Sequence, residues 1–176
     1  MKKTLAFAAA ALALAVAAPA LAALPLGAAA PTFKTTASLA GAQTQFDLAA
    51  ALKKGPVVLY FFPAAFTAGC TLEANAFAEA TDEFTAAGAT IIGMTGGNVD
   101  RIAEFSKVEC RDKFAVGAAS ADLIKSYDVA MATRPGWTGR ISYVIGQDGK
   151  VAFVHNNSDF RGHVSGTLDA VKAMKK

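Results

Sequence analysis

The sequence predicts an α/β fold in which a central mixed β-sheet is flanked by helices. Three observations carry this. Val57-Val58-Leu59-Tyr60-Phe61-Phe62 is an unbroken apolar run whose β-branched and aromatic content fits a strand buried on both faces. A stretch with apolar residues at three- and four-residue spacing follows, and then a second apolar strand, the alternation of a parallel layer. Nearer the C-terminus, two alternating runs flank Gln147-Asp148-Gly149, a hairpin signal.

The chain opens on Met1-Lys2-Lys3 and an apolar run over residues 5–18 that stops before Pro19. A bilayer-spanning helix needs ~20 residues, so the run suits a secretory signal better than an anchor. Ala20-Leu21-Ala22 fits the small-x-small cleavage pattern. The expectation is a signal peptide over residues 1–22, cut after Ala22 or alternatively Ala23, and one domain over 23–176. An uncleaved amphipathic or anchoring helix is the other reading. No cysteine stands at the cleavage position, which argues against a lipid anchor. The style of the segment is bacterial and points to the periplasm or exterior, with no stable membrane association after cleavage.

The same segment explains the composition. The 53% hydrophobic share and the net charge of +3 both owe much to it. Without it the chain is near-neutral and ordinary, with no charge run to suggest nucleic acid or an anionic membrane. Two cysteines are too few for a disulfide scaffold or a four-cysteine zinc site, and no cofactor or metal is expected.

Along the remaining chain, residues 25–31 read as an irregular lead-in. Residues 32–39 and 43–48 read as a hairpin around Gly41 with Phe33 and Phe46 as anchors, and 49–54 as a brief helical turn before Gly55-Pro56. After the strand at 57–62, residues 67–87 read as a helix with Leu72, Ala76, Phe77, Ala80 and Phe84 on one face and Gly88 as its stop. Residues 90–94 form the second strand. Asn98 is expected to cap a helix over 99–110, and another helix covers 121–127. The strands at 140–145 and 151–155 precede a terminal amphipathic helix over 163–175. This order is that of a thioredoxin-like layer.

Cys70 falls in the first turn of the helix that follows a buried strand. Free backbone N–H groups and the positive end of the helix dipole there favour a thiolate and offer donors to an oxyanion. A buried structural cysteine is an equal reading on placement alone. The neighbours tip the balance. Taken singly, Pro63 ends a strand, Thr67 caps a helix and Arg140 opens a strand. Together, Pro63-Ala64-Ala65-Phe66-Thr67-Ala68-Gly69-Cys70 forms P-x-x-x-T-x-x-C, with Glu73 three residues on. Leu26-Gly27 and Ala30-Pro31-Thr32-Phe33 form an opening block, and Arg140-Ile141-Ser142-Tyr143 with Asp148-Gly149 a later one.

With these blocks in order, the chain resembles the peroxiredoxins, most closely the bacterioferritin comigratory protein (Q-type) branch. The resemblance spans nearly all of the chain after residue 22. It implies a thiol peroxidase acting on hydrogen peroxide and organic hydroperoxides, without a cofactor. Cys70 would be the peroxidatic nucleophile. Thr67 would hydrogen-bond thiolate and peroxide, Pro63 would shield the sulfur, and Arg140 would stabilise the thiolate and hold the peroxide oxygens. The product on Cys70 would be a sulfenic acid.

Many Q-type relatives carry a resolving cysteine five residues after the nucleophile, where this chain has Asn75. Others place it in the helix read over 99–110, which makes Cys110 the resolving candidate, with Arg111 and Lys113 helping to hold its thiolate. The alternatives are resolution by an external thiol and a static disulfide. A thioredoxin-like or other thiol donor would complete the cycle, and a monomer is expected. Two other functions remain open: a thiol–disulfide oxidoreductase, disfavoured because Glu73 stands where a C-x-x-C partner would be, and a non-catalytic thioredoxin-fold binding module. His155 and His163 lack partners at metal-ligand spacing and read as polar surface or hairpin residues. Trp137 reads as a loop residue near Arg140, at the mouth of the site or in a protein contact.

Overall fold

A computed structural model describes residues 23–175. The signal peptide read over residues 1–22 and its cleavage lie outside them. Strands β1 (Lys34–Leu39) and β2 (Ala42–Asp47) form the hairpin expected around Gly41. Phe33 and Phe46 pack with ring centroids 5.7 Å apart. Asp47 ends β2 and caps α1 (Leu48–Leu52), its carboxylate accepting from the Ala50 N–H at 3.1 Å.

Strand β3 (Val57–Phe61) is buried throughout and pairs in parallel with β4 (Thr90–Thr95). Helix α2 (Ala68–Ala86) makes the crossover between them. Gly88, with φ +83°, turns the chain out of α2 in a left-handed conformation that side chains disfavour. After β4 come α3 (Ile102–Val108), β5 (Ala115–Ala118), α4 (Ala121–Ser126), β6 (Ile141–Ile145), β7 (Val151–Asn156) and α5 (His163–Met174).

The strands form one sheet in the order β2-β1-β5-β4-β3-β6-β7. Strand β6 runs antiparallel to β3, so Arg140, just before β6, arrives beside the C-terminal end of β3. Along β3, Val58 and Tyr60 face one core with Phe62, Phe77, Phe84, Phe105, Leu168 and Val171. Val57, Leu59 and Phe61 face the other with Leu48, Leu123, Tyr127 and Tyr143. Each such side chain contributes about 1.5–3 kcal/mol on burial, which makes β3 the spine of the fold. The result is the expected thioredoxin-like layering, a mixed sheet between helices.

Four local expectations are corrected. Strand β5 was not foreseen. Ala115-Val116-Gly117-Ala118 is too short and small-sided to display a strand pattern, yet it joins β1 to β4. The helix read over 99–110 begins as a 3-10 turn (Val99–Arg101) and ends at Val108, leaving Cys110 beyond it. Asn98 does not cap it: its backbone is left-handed (φ +52°), and its side-chain amide donates to the Ala65 carbonyl at 2.8 Å. Finally, Leu72 is 52% exposed, and the buried face of α2 runs through Cys70, Glu73, Ala74, Phe77 and Phe84. Phe77 and Phe84 lie on the buried face as expected, while Glu73, paired with Arg140, is buried there and Leu72 is not.

Candidate active site

The segment between β3 and α2 is held by its neighbours rather than by regular structure. The Phe62 N–H donates to the Met94 carbonyl and the Ala65 N–H to the Gly97 carbonyl, at 3.1 and 3.2 Å. The Thr95 hydroxyl donates to the Pro63 carbonyl at 3.1 Å, and the Thr138 hydroxyl to the Phe62 carbonyl at 2.5 Å. Phe66 adopts φ +60°, an uncommon conformation for a bulky residue, and the Arg101 guanidinium covers its ring at 3.8 Å. This bracing fixes where α2 starts. The half-buried Trp137 packs beside Gly97, whose carbonyl accepts from Ala65: a Cβ added at Gly97 would stand 2.9 Å from its ring, and Arg134 stacks on it at 3.9 Å.

Thr67 is the N-cap residue of α2, but its hydroxyl does not cap the helix. It donates to the Ala64 carbonyl at 3.1 Å instead, which leaves the oxygen to act toward a ligand as an acceptor. Cys70, three residues on, is 1% exposed. It lies in the helical turn whose backbone N–H groups have no intrahelical acceptors.

Arg140 reaches this turn from β6 and distributes three donors. Its Nη2 donates to Cys70 Sγ at 3.5 Å, its Nε to the Ser158 carbonyl at 2.9 Å, and its Nη1 to Glu73 Oε2. The Arg140 and Glu73 side chains are only 8% and 0% exposed. Gly69 is part of the design. A Cβ there would stand 3.1 Å from Nη2, so a larger residue would crowd the guanidinium away from the sulfur. Burial works against the Arg140 charge, but Glu73 and Cys70 more than offset this and hold it above its ordinary value. Burial pushes the Glu73 carboxyl up to about 8, against the pull of Arg140.

Behind Glu73 lies a group the sequence reading placed at the surface. His163, at the start of α5, is fully buried. Its Nε2 lies 3.0 Å from the Asn157 carbonyl and its Nδ1 2.8 Å from Ser142 Oγ, while Glu73 Oε1 stands 3.6 Å from Nδ1. Burial lowers its pKa to about 4. Nothing in the local sequence signals this, because its partners come from α2, β6 and the loop after β7. Glu73 did carry a signal: three residues after Cys70, it falls on the same helix face.

The structure therefore brings Cys70, Thr67 and Arg140 to one end of β3, with Pro63 in the loop between. Cys110 is 0% exposed and belongs to the same core cluster as Cys70, Tyr60, Phe77 and Phe105, and both thiols are free. The support expected from Arg111 and Lys113 is not there. Arg111 pairs with Glu79 at 3.1 Å and bonds Asn75 Oδ1 at 2.9 Å, and Lys113 pairs with Asp82 at 3.4 Å. Burial, with Glu109 adding to it, instead raises the Cys110 thiol far above the usual range. Asn75 also donates to Glu109 Oε2 at 3.1 Å, so the residue at the alternative resolving position ties the Cys110 segment to α2. Among the described residues no cluster of metal-ligating side chains occurs. A surface cavity of about 560 Å³ opens at the other end of the sheet, between Gly55, Gly88, Gly146 and Met174, away from these groups.

A strand-to-helix thiol met by a buried arginine is a specific arrangement, and known proteins share its frame. Residues 26–154 match the profile of the AhpC/TSA family. A putative chloroplastic peroxiredoxin Q of Oryza sativa subsp. indica is 31% identical over 123 residues, 69% of this chain and 57% of that protein. The chloroplastic peroxiredoxin Q of Sedum lineare is 31% identical over 124 residues, 70% of this chain and 67% of that one. The match thus spans little more than half of the first relative's length. The crystal structure of peroxidoxin BcpB from Mycobacterium tuberculosis superposes with a TM-score of 0.76 at 27% identity, covering 86% of this chain and 98% of that one. Mycobacterium tuberculosis AhpC shares the fold with a TM-score of 0.73. Motif order, site geometry and a profile that covers most of the sequence agree that the chain belongs to the AhpC/TSA family, the peroxiredoxins.

Proposed function

We propose that the protein is an exported thiol-dependent peroxidase that reduces hydrogen peroxide and organic hydroperoxides through Cys70. The observation that carries this is the Arg140 fork, with one donor on Cys70 Sγ and another on Glu73 at the first turn of α2. The Cys70 thiolate attacks the distal peroxide oxygen. The S–O bond forms as the O–O bond breaks, leaving Cys70 as sulfenic acid and the departing oxygen as an alkoxide or hydroxide that takes up a proton. Arg140 presents a permanent charge and planar donors to two adjacent oxygens, where negative charge builds in the transition state. Thr67, its hydrogen committed to Ala64, accepts from the peroxide O–H and aligns it. Pro63 closes the sulfur from bulk water.

Cys110 then condenses with the sulfenic acid, releasing water and forming a disulfide, and a thioredoxin-like donor restores both thiols by exchange. Disulfide geometry needs Cα atoms within ~7 Å, and both thiols are buried among aromatic rings, so resolution requires local unfolding. The Asn75, Arg111 and Lys113 contacts are what must release. Lys2, Lys3 and the apolar segment after them support export to a bacterial periplasm, where the enzyme acts as a monomer. Peroxide consumption with a dithiol reductant tests the reading: the wild type turns over and Cys70→Ser does not. Turnover by Cys70→Ser, or none by the wild type, rejects it.

A further inference from the structure

Glu73 Oε1 is buried and has no hydrogen-bond partner, although Oε2 of the same carboxyl is held by Arg140. An orphaned carboxylate oxygen in the interior is costly, because its lost hydration is not replaced. The atom it faces is His163 Nδ1, 3.6 Å away. Because the Asn157 carbonyl can only accept, His163 Nε2 carries a hydrogen and donates to it. In the neutral ring Nδ1 is then a bare lone pair, taking the Ser142 hydroxyl at 2.8 Å. A carboxylate oxygen facing a bare nitrogen is repulsive. One proton between them removes the repulsion and gives the orphaned oxygen its partner.

We propose that Glu73 and His163 hold a single exchangeable proton between Oε1 and Nδ1, and that His163 is thereby a positioning residue for Arg140 and, through it, for Cys70. The proposal rests on the peroxidase reading above. With the proton in place, Glu73 holds Arg140 by a weaker hydrogen bond, and more of the guanidinium's charge serves the sulfur and the peroxide oxygens. When the proton is lost, a full carboxylate competes for Arg140 against the Cys70 thiolate. The groups facing the pair are Arg140 and Ser142 beside or on β6, Cys70 from the first turn of α2, Tyr60 from β3 with its buried hydroxyl, His155 from β7 with its ring centroid 4.4 Å from that of His163, and Asp159 from the following loop. The raised Glu73 carboxyl and the lowered His163 imidazole place the proton nearer the carboxyl. The same unit holds the loop after β7, whose Asn157 and Ser158 carbonyls accept from His163 and Arg140 respectively.

The test joins side-chain NMR of His163 with the peroxide rate constant of Cys70, both followed against pH in the reduced protein. The His163 ring shifts should report a titration near pH 8 in the wild type. Glu73→Gln, whose amide donates permanently to Nδ1, should abolish it. Ser142→Ala should move it to higher pH, since Nδ1 loses its competing donor. Across the same titration the wild-type rate constant should fall about 5- to 10-fold, the scale separating a neutral from a charge-assisted hydrogen bond, while the Glu73→Gln profile stays level there. Shifts that do not move in the wild type, or that titrate identically in Glu73→Gln, overturn the shared proton. A titration that the rate constant ignores overturns the positioning role. A protein that titrates as described but consumes no peroxide at any pH overturns the peroxidase reading and leaves the shared proton standing.

Discussion

Arg140 commits one donor from each of its three nitrogens, to a thiol sulfur, a carboxylate and a backbone carbonyl, so its planar fork is fixed before any substrate arrives and each terminal nitrogen keeps a second N–H. Lysine, a point charge on a flexible stem, could not reach all three. The two groups behind it give the fold a distinctive pH dependence. Burial lowers His163 from 6.5 to about 4, so its contribution to stability is lost as pH falls below 6.5. Glu73 is raised from 4.5 to about 8, so its contribution is present at low pH and is lost as pH rises from 4.5 through 8. Between 4.5 and 6.5 the two effects oppose, because folded and unfolded chains each hold one proton on the pair. Above 6.5 only the folded chain holds it. Wild-type stability in urea should therefore fall relative to Glu73→Gln between about pH 6.5 and 8. Parallel curves for the two proteins across that interval would refute the assignment.

Helix α2 serves two purposes at the scale of elements. Its first turn presents Cys70, and the carboxylates and amide along its length hold the Cys110 segment through Asn75, Glu79 and Asp82. The segment itself is strained where it turns: Arg111 and Asp112 take φ +50° and +59°, side by side in left-handed conformations. Strain on one side and surface clamps on the other are what the proposed opening of this segment would release. Asn75→Ala removes the two-way link to Glu109 and Arg111, a loss of ~1 kcal/mol. It should speed Cys70–Cys110 disulfide formation after peroxide about 5-fold, read by stopped-flow fluorescence and quenched mass spectrometry. An unchanged or slower rate would mean that these contacts do not gate the thiols.

For the molecule as a whole, what was legible in the sequence was what the sequence holds locally. The all-apolar β3 and the adjoining P-x-x-x-T-x-x-C segment disclose a strand-to-helix thiol, because a buried parallel strand and a helix start are each written in consecutive residues. Strand β5 was not legible, since its small residues gain strand character only from β1 and β4 on either side. His163 looked like a surface residue for the same reason, its burial being supplied by three other segments. Arg111 and Lys113 looked like helpers of Cys110 because sequence proximity says nothing of which way a side chain turns. The central claim is that Cys70 is the sulfur that meets peroxide. Treating the reduced protein with one equivalent of hydrogen peroxide and mapping its sulfur chemistry by mass spectrometry tests this most directly. One oxygen should appear on Cys70, trappable as sulfenic acid, and then give way to a Cys70–Cys110 disulfide. Intact peroxide beside two reduced thiols, or oxidation at Cys110 while Cys70 stays reduced, would contradict the account.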